Sequence, residues 1–147
     1  MTPRNHVMAS AITSSIFAFL TRSWEGTTAC FLSGIFIDID HHFDLWLYKK
    51  KILLHPKHIY QFCEREKDGK LHLIFHSYEL LVIFWIVIAA FHLSFLWRGL
   101  AVGMSVHLIL DQIGNALKPG VYFLFYRIKN KFSKEAIFPL GHFKNKQ

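Results

Sequence analysis

Cysteine is nearly missing from this chain: there are only Cys30 and Cys63, far apart and without a metal-type spacing. That excludes a disulfide framework and a thiolate zinc site, and both cysteines are expected to be reduced packing residues. Acidic residues are also few, ten against seventeen lysines and arginines, which leaves a formal charge of +7. Internal repeats and low-complexity tracts are absent. No cleaved leader is expected, because the apolar stretch 7–20 is interrupted by Thr13, Ser14 and Ser15, and "TTAC" lacks the upstream leucine of a lipid-attachment box. The lysine-rich middle of the chain has no stacking platform beside it, so nucleic acid is not an expected partner.

What is abundant is apolar. Hydrophobic residues make up 52 % of the 147 positions, aromatic residues 16 %, and mean hydropathy is +0.26. This composition predicts an all-α, single-domain helical membrane bundle over 1–147. Four membrane-embedded helices are expected at 5–20, 27–40, 71–97 and 99–117, followed by a short interfacial helix at 121–128. The 71–97 stretch would be about 40 Å long as a helix, enough to cross a bilayer. The first two are short for a full span, so a re-entrant hairpin is the alternative for them. Gly99 and Gly103, at i, i+4, would permit close helix contact. Residues 44–70, with "YKKK", "HPKH" and "EREKDGK", read as a basic loop, and 129–147 as a basic tail.

The basic residues are unevenly placed. An up-down topology puts Arg4, the seven of the 44–70 loop and the seven from Lys118 onward on one side, against Arg22 and Arg98 on the other. Fifteen against two predicts a multi-pass protein of the inner (plasma) membrane with both termini cytoplasmic. Membrane lipid is then an expected partner, through the basic loop.

Ten histidines need a reason. Several sit at the edges of the apolar segments together with carboxylates. His6 opens the first; Asp38, Asp40, His41 and His42 close the second. His72, His76 and Glu79 begin the third, and His107 and Asp111 end the fourth. The predicted topology brings all of these to one end of the bundle. His107 and Asp111 (i, i+4) share a helix face, as do His76 and Glu79 (i, i+3). Imidazoles and carboxylates without thiolates suit zinc, manganese or iron(II), as one ion or two. The expected ligands are His6, Asp38, Asp40, His41, His76, His107 and Asp111. Asp40 and Glu79 are the catalytic candidates, with Glu79 placed to act as general base. His42, His55, His58, His92 and His142 read as surface or interfacial residues, His72 and Asp44 as local caps, and Asn115 as a group supporting Asp111.

These residues resemble the membrane-bound metal-dependent hydrolase family, also described as LexA-binding, inner-membrane-associated hydrolases. That family shows an early His, then Pro-Asp-x-Asp-His, Thr-His-Ser and His-x-x-x-Asp. The counterparts are His6, "FIDIDHH", "FHSYE" and "HLILD", in order over roughly 1–115. Ile37 stands where the family has proline, and Phe75 where it has threonine. The resemblance implies a membrane hydrolase, and the His-x-x-x-Asp element is similar to that of zinc-dependent phospholipase C. The expected activity is metal-dependent hydrolysis of an ester or phosphoester in a small-molecule or lipid-linked substrate. Metal or proton transport, or a scaffold with a structural metal, would use the same residues.

Overall fold

The computed structural model describes residues 3–50, 62, 70–115, 117–118 and 120–139. Seven helices occur among them: α1 (Pro3–Thr21), α2 (Trp24–Phe36), α3 (Ile39–Lys49), α4 (Tyr78–Ala90), α5 (Phe95–Gly114), α6 (Leu124–Lys129) and α7 (Lys134–Ile137). The described residues contain no strand, only an isolated antiparallel bridge between Lys70 and Ser133. The all-α expectation therefore holds. The expectations for 51–61, 63–69 and 140–147, including Cys63, His55, His58, His142 and most of the basic loop, lie outside the described residues.

The chain divides into two compact units. Met1–Ile37 and Ser77–Asn115 form the first, Asp38–His76 and Ala116–Gln147 the second.

In the first unit α2 packs most closely on α5, with α1 against both and α4 against α5. Small residues make that approach possible. A Cβ on Gly99 would run into the Gly26 carbonyl, and one on Gly103 into the Cys30 carbonyl and Ser33 Oγ. Ser33 Oγ then donates across the interface to the Leu100 carbonyl at 3.0 Å. Ser23 caps α2 by accepting from the Gly26 N–H at 3.2 Å, and Glu25 in the first turn complements the helix dipole. Cys30 is fully buried, and burial pushes its thiol pKa up, as expected for a packing residue.

The second unit is built on Leu45 from α3, Phe62, Leu71, Leu73, Val121, Ile137 and Phe138. Leu117 and Tyr126 pack against this core. Lys134 is buried within it, its Nζ donating to the Phe62 carbonyl and lying 3.5 Å from the centre of the Phe62 ring.

Three boundaries differ from the sequence expectation. The predicted 27–40 helix breaks at Ile37–Asp38, and α3 continues to Lys49, through the start of what read as a loop. The predicted 71–97 helix is only Tyr78–Ala90. Residues 71–77 form turns and extended backbone, with Leu73 at φ 45°. His92 at φ 49° closes α4, and the Leu93 N–H returns to the Ile88 carbonyl at 3.0 Å. Apolar content made 71–97 look continuous, but polar side chains capture the backbone of 72–76, as described below.

The expected multi-pass topology, with both termini cytoplasmic, is overturned. Among the described residues no helix is long and apolar enough to cross a membrane. At 13 residues each, α2 and α4 are about 20 Å long, against a hydrocarbon core of about 30 Å. The longest helix, α5, carries Arg98, His107 and Asp111. Many large apolar side chains are nonetheless exposed, among them Ile12, Ile16, Phe19 and Leu20 on α1 and Val82, Ile83 and Ile86 on α4.

Substituting Gly99 or Gly103 by leucine is expected to force α2 and α5 apart and cost at least about 1–3 kcal/mol. Thermal unfolding followed by circular dichroism measures this, and an unchanged midpoint would mean the two helices do not meet backbone to backbone.

Candidate metal centre

In the second unit, α3 places Asp40 and Asp44 one turn apart on one face. Opposite them, the non-helical segment 70–77 carries His72 and His76, also four residues apart. The two pairings repeat the same arrangement. Asp44 Oδ2 accepts the N–H groups of His72 and Leu73 at 2.7 and 3.1 Å, while Oδ1 lies 2.8 Å from His72 Nδ1. Asp40 Oδ2 accepts the N–H groups of Phe75 and His76 at 2.6 and 3.3 Å and lies 3.2 Å from His76 Nδ1. Each carboxylate thus anchors two successive backbone donors and one imidazole. Burial pushes the Asp44 carboxyl pKa up, and the hydrogen bonds from His72 and Leu73 only partly offset it.

A carboxylate oxygen beside Nδ1 accepts a hydrogen bond from Nδ1–H, and in that tautomer of a neutral imidazole the lone pair is on Nε2. His76 Nε2 lies 3.3 Å from Asp38 Oδ1. His76 is 1 % exposed, whereas the Asp38 side chain is 38 % exposed. His41 stands beside them, its Nε2 3.7 Å from Asp38 Oδ1 and its ring edge-on to His76.

The first unit contains a parallel arrangement. The Gly34 carbonyl lies 2.8 Å from His107 Nδ1. A carbonyl can only accept, so Nδ1 is the protonated nitrogen and the lone pair is again on Nε2. That nitrogen lies 3.5 Å from Asp111 Oδ2, one helical turn on. His6 stacks on His107 with ring centres 4.0 Å apart, and its Nε2 is 3.1 Å from Asp111 Oδ1. Tyr78 donates to the Leu108 carbonyl at 3.4 Å, and burial together with the Asp111 charge pushes its phenol pKa up.

Two imidazoles therefore each present an Nε2 lone pair toward a carboxylate oxygen. Lone pair against lone pair is repulsive unless a cation, proton or metal, lies between them. Tetrahedral ligands at zinc bond lengths are about 3.3 Å apart, close to both separations. Asp38 with His76 in the second unit, and His107 with Asp111 in the first, are each a histidine–carboxylate pair that could contribute ligands to a metal ion.

The other sequence candidates have different places. Asp40 is the orienting partner of His76, His41 neighbours Asp38, and His6 braces Asp111 and His107. Glu79 lies in the first turn of α4, partly buried and outside both pairs. Asn115 closes α5, its N–H on the Asp111 carbonyl. The sequence reading missed the Asp44–His72 pair; the matching four-residue spacings of Asp40/Asp44 and His72/His76 were the available signal.

Compared with known protein families, curated proteins and solved structures, the chain matches none.

Asp44→Ala is expected to strand the His72 and Leu73 N–H groups and lower stability by about 1–3 kcal/mol while leaving metal affinity intact. Asp40→Ala is expected to lower metal affinity as well, by about 10–100-fold, through loss of the His76 partner. Denaturant melts paired with zinc titrations distinguish the two; equal effects of both variants on affinity would contradict the assignment.

Proposed function

We propose that this chain is a metal-dependent hydrolase whose divalent-metal ligands are Asp38 and His76 in the second unit and His107 and Asp111 in the first. The observation that carries the reading is the fixed orientation of the two imidazoles. An oxygen that can only accept holds each Nδ1, and each Nε2 faces an aspartate at 3.3 or 3.5 Å. Two histidines and two carboxylates suit zinc, with manganese or iron(II) as the alternatives.

A divalent ion bound by these groups would polarise an ester or phosphoester oxygen and supply a water that ionises near neutral pH. The protein contributes the rest. Asp40 and the Gly34 carbonyl hold the Nδ1 side of His76 and His107 and so fix where each Nε2 points. His6 Nε2 lies 3.1 Å from the other oxygen of Asp111. Asp38, the least buried of the four, is where water and substrate reach the centre. Glu79 is assigned the role of general base as a carboxylate in the first turn of α4; the helix face expected to join it to His76 does not form, since His76 precedes α4. The exposed apolar side chains of α1 and α4 favour a substrate with a lipid portion, because an apolar surface of this kind marks an interaction site.

No observation favours transport, which would need polar groups continued through spanning helices. A structural metal remains the second reading, because all but one of the four residues are buried.

Protein purified without chelators is expected to carry one divalent transition metal per chain, and His107→Ala less than a tenth of that. Metal analysis checks both, and wild-type protein that stays metal-free after incubation with zinc would sink the proposal. Glu79→Gln is expected to keep the metal and lose about 100-fold or more in turnover on an ester and phosphoester panel. If metal is bound but nothing on the panel is cleaved, in lipid dispersions or in solution, the structural reading replaces the hydrolase.

A further inference from the structure

The motifs end before residue 116, yet a residue beyond them touches the segment that carries His76. Arg127, in α6, is 1 % exposed. Its Nη1 donates to the Leu73 carbonyl at 2.6 Å and its Nη2 to the His76 carbonyl at 3.0 Å. The Leu73 carbonyl also accepts the His76 N–H at 3.0 Å, closing a tight turn whose first residue has left-handed backbone. The guanidinium therefore bridges both ends of the turn that carries the imidazole. Asp40 and Asp44 hold the N–H groups of residues 72, 73, 75 and 76, and Arg127 holds the carbonyls of 73 and 76.

We infer that Arg127 is a positioning residue for His76, so that the C-terminal part of the chain sets the geometry of the metal centre. The inference rests on the metal reading above. The chemistry favours arginine because a planar fork reaches two carbonyls in fixed directions, whereas a lysine ammonium is a single point charge on a flexible stem. Without the arginine only the N–H side of the turn and Nδ1 are held, and the His76 backbone is less firmly fixed on its carbonyl side. Lys134 provides an internal control. It is another buried cation of the same unit, and its Nζ meets the Phe62 carbonyl and ring, which are outside the ligand turn.

The test is a cobalt(II) titration of the full chain, following affinity by competition with a chromophoric chelator and geometry by the visible absorption bands. The variants are Arg127→Lys, Arg127→Gln and Lys134→Met. Both Arg127 variants are expected to bind cobalt about 10–100-fold more weakly with shifted bands, and Lys134→Met to melt earlier but keep wild-type affinity and bands. A folded Arg127 variant with wild-type affinity and spectrum overturns the inference and leaves the metal reading standing. So does an equal loss in Lys134→Met, which would make the effect general destabilisation. Wild-type protein that binds no cobalt overturns the metal reading itself. Should both Arg127 variants fail to fold, the arginine side-chain N–H exchange of the wild type decides. Slower exchange on adding zinc supports the coupling, and unchanged exchange refutes it.

Discussion

A buried turn must find partners for every backbone N–H and carbonyl it takes out of water. Residues 72–76 form a partly buried turn, with Leu73 and His76 inside and Ile74 and Phe75 exposed, and most of its backbone groups find partners in charged side chains rather than in a helix or a ladder. Two aspartates from α3 take the donors and one arginine from α6 takes the acceptors. This arrangement explains why an apolar sequence over 71–77 is not the start of a longer helix. Continuing the helix would return those N–H groups to carbonyls four residues back and leave Asp40 and Asp44 buried without their donors, a cost of several kcal/mol for each charge.

The same bonds specify the chemistry. A carboxylate that anchors the backbone at 75 and 76 is already in place to hold the Nδ1 of His76, so folding and imidazole orientation become one event. His107 reaches the same state by a different route, since its Nδ1 is held by the Gly34 carbonyl on α2. That contact depends on the close approach of α2 and α5, which Gly26, Gly99 and Gly103 make possible. Helix packing in one unit and turn capture in the other therefore have the same local outcome, an imidazole held at Nδ1 with Nε2 facing a carboxylate.

Much of this was legible in the sequence. The helical class, the helices near 5–20 and 99–117, and the His-x-x-x-Asp pairing of His107 with Asp111 follow from periodicity and spacing. Asp38 and His76 were identifiable as ligand types at the edges of apolar runs. The break at Ile37–Asp38 and the short α4 were not, because hydropathy cannot distinguish an apolar turn from an apolar helix. The membrane topology failed for the same reason: 27 mostly apolar residues looked like one span, while a polar capture of six backbone groups makes α4 half that length. The division of labour between Asp38 and Asp40 was illegible too. Both flank Ile39, and only three-dimensional placement puts Asp40 on Nδ1 and Asp38 on Nε2. Arg127 gave no signal, since an arginine near the end of a short aromatic segment, just before a basic tail, reads as one more surface charge.

Leu73 has two duties that pull against each other. Left-handed backbone costs a residue with a side chain roughly 1–2 kcal/mol, and glycine would remove that cost. But Leu73 is also buried in the core of the second unit, where its side chain contributes about 1.5–3 kcal/mol. Glycine would relax the turn and hollow the core; a β-branched residue would fill the core and oppose the turn. The position thus has almost no neutral neighbours in sequence space. Drift in the hydrophobic interior of this unit is therefore read out at the imidazole three residues away, and the two cannot be varied independently.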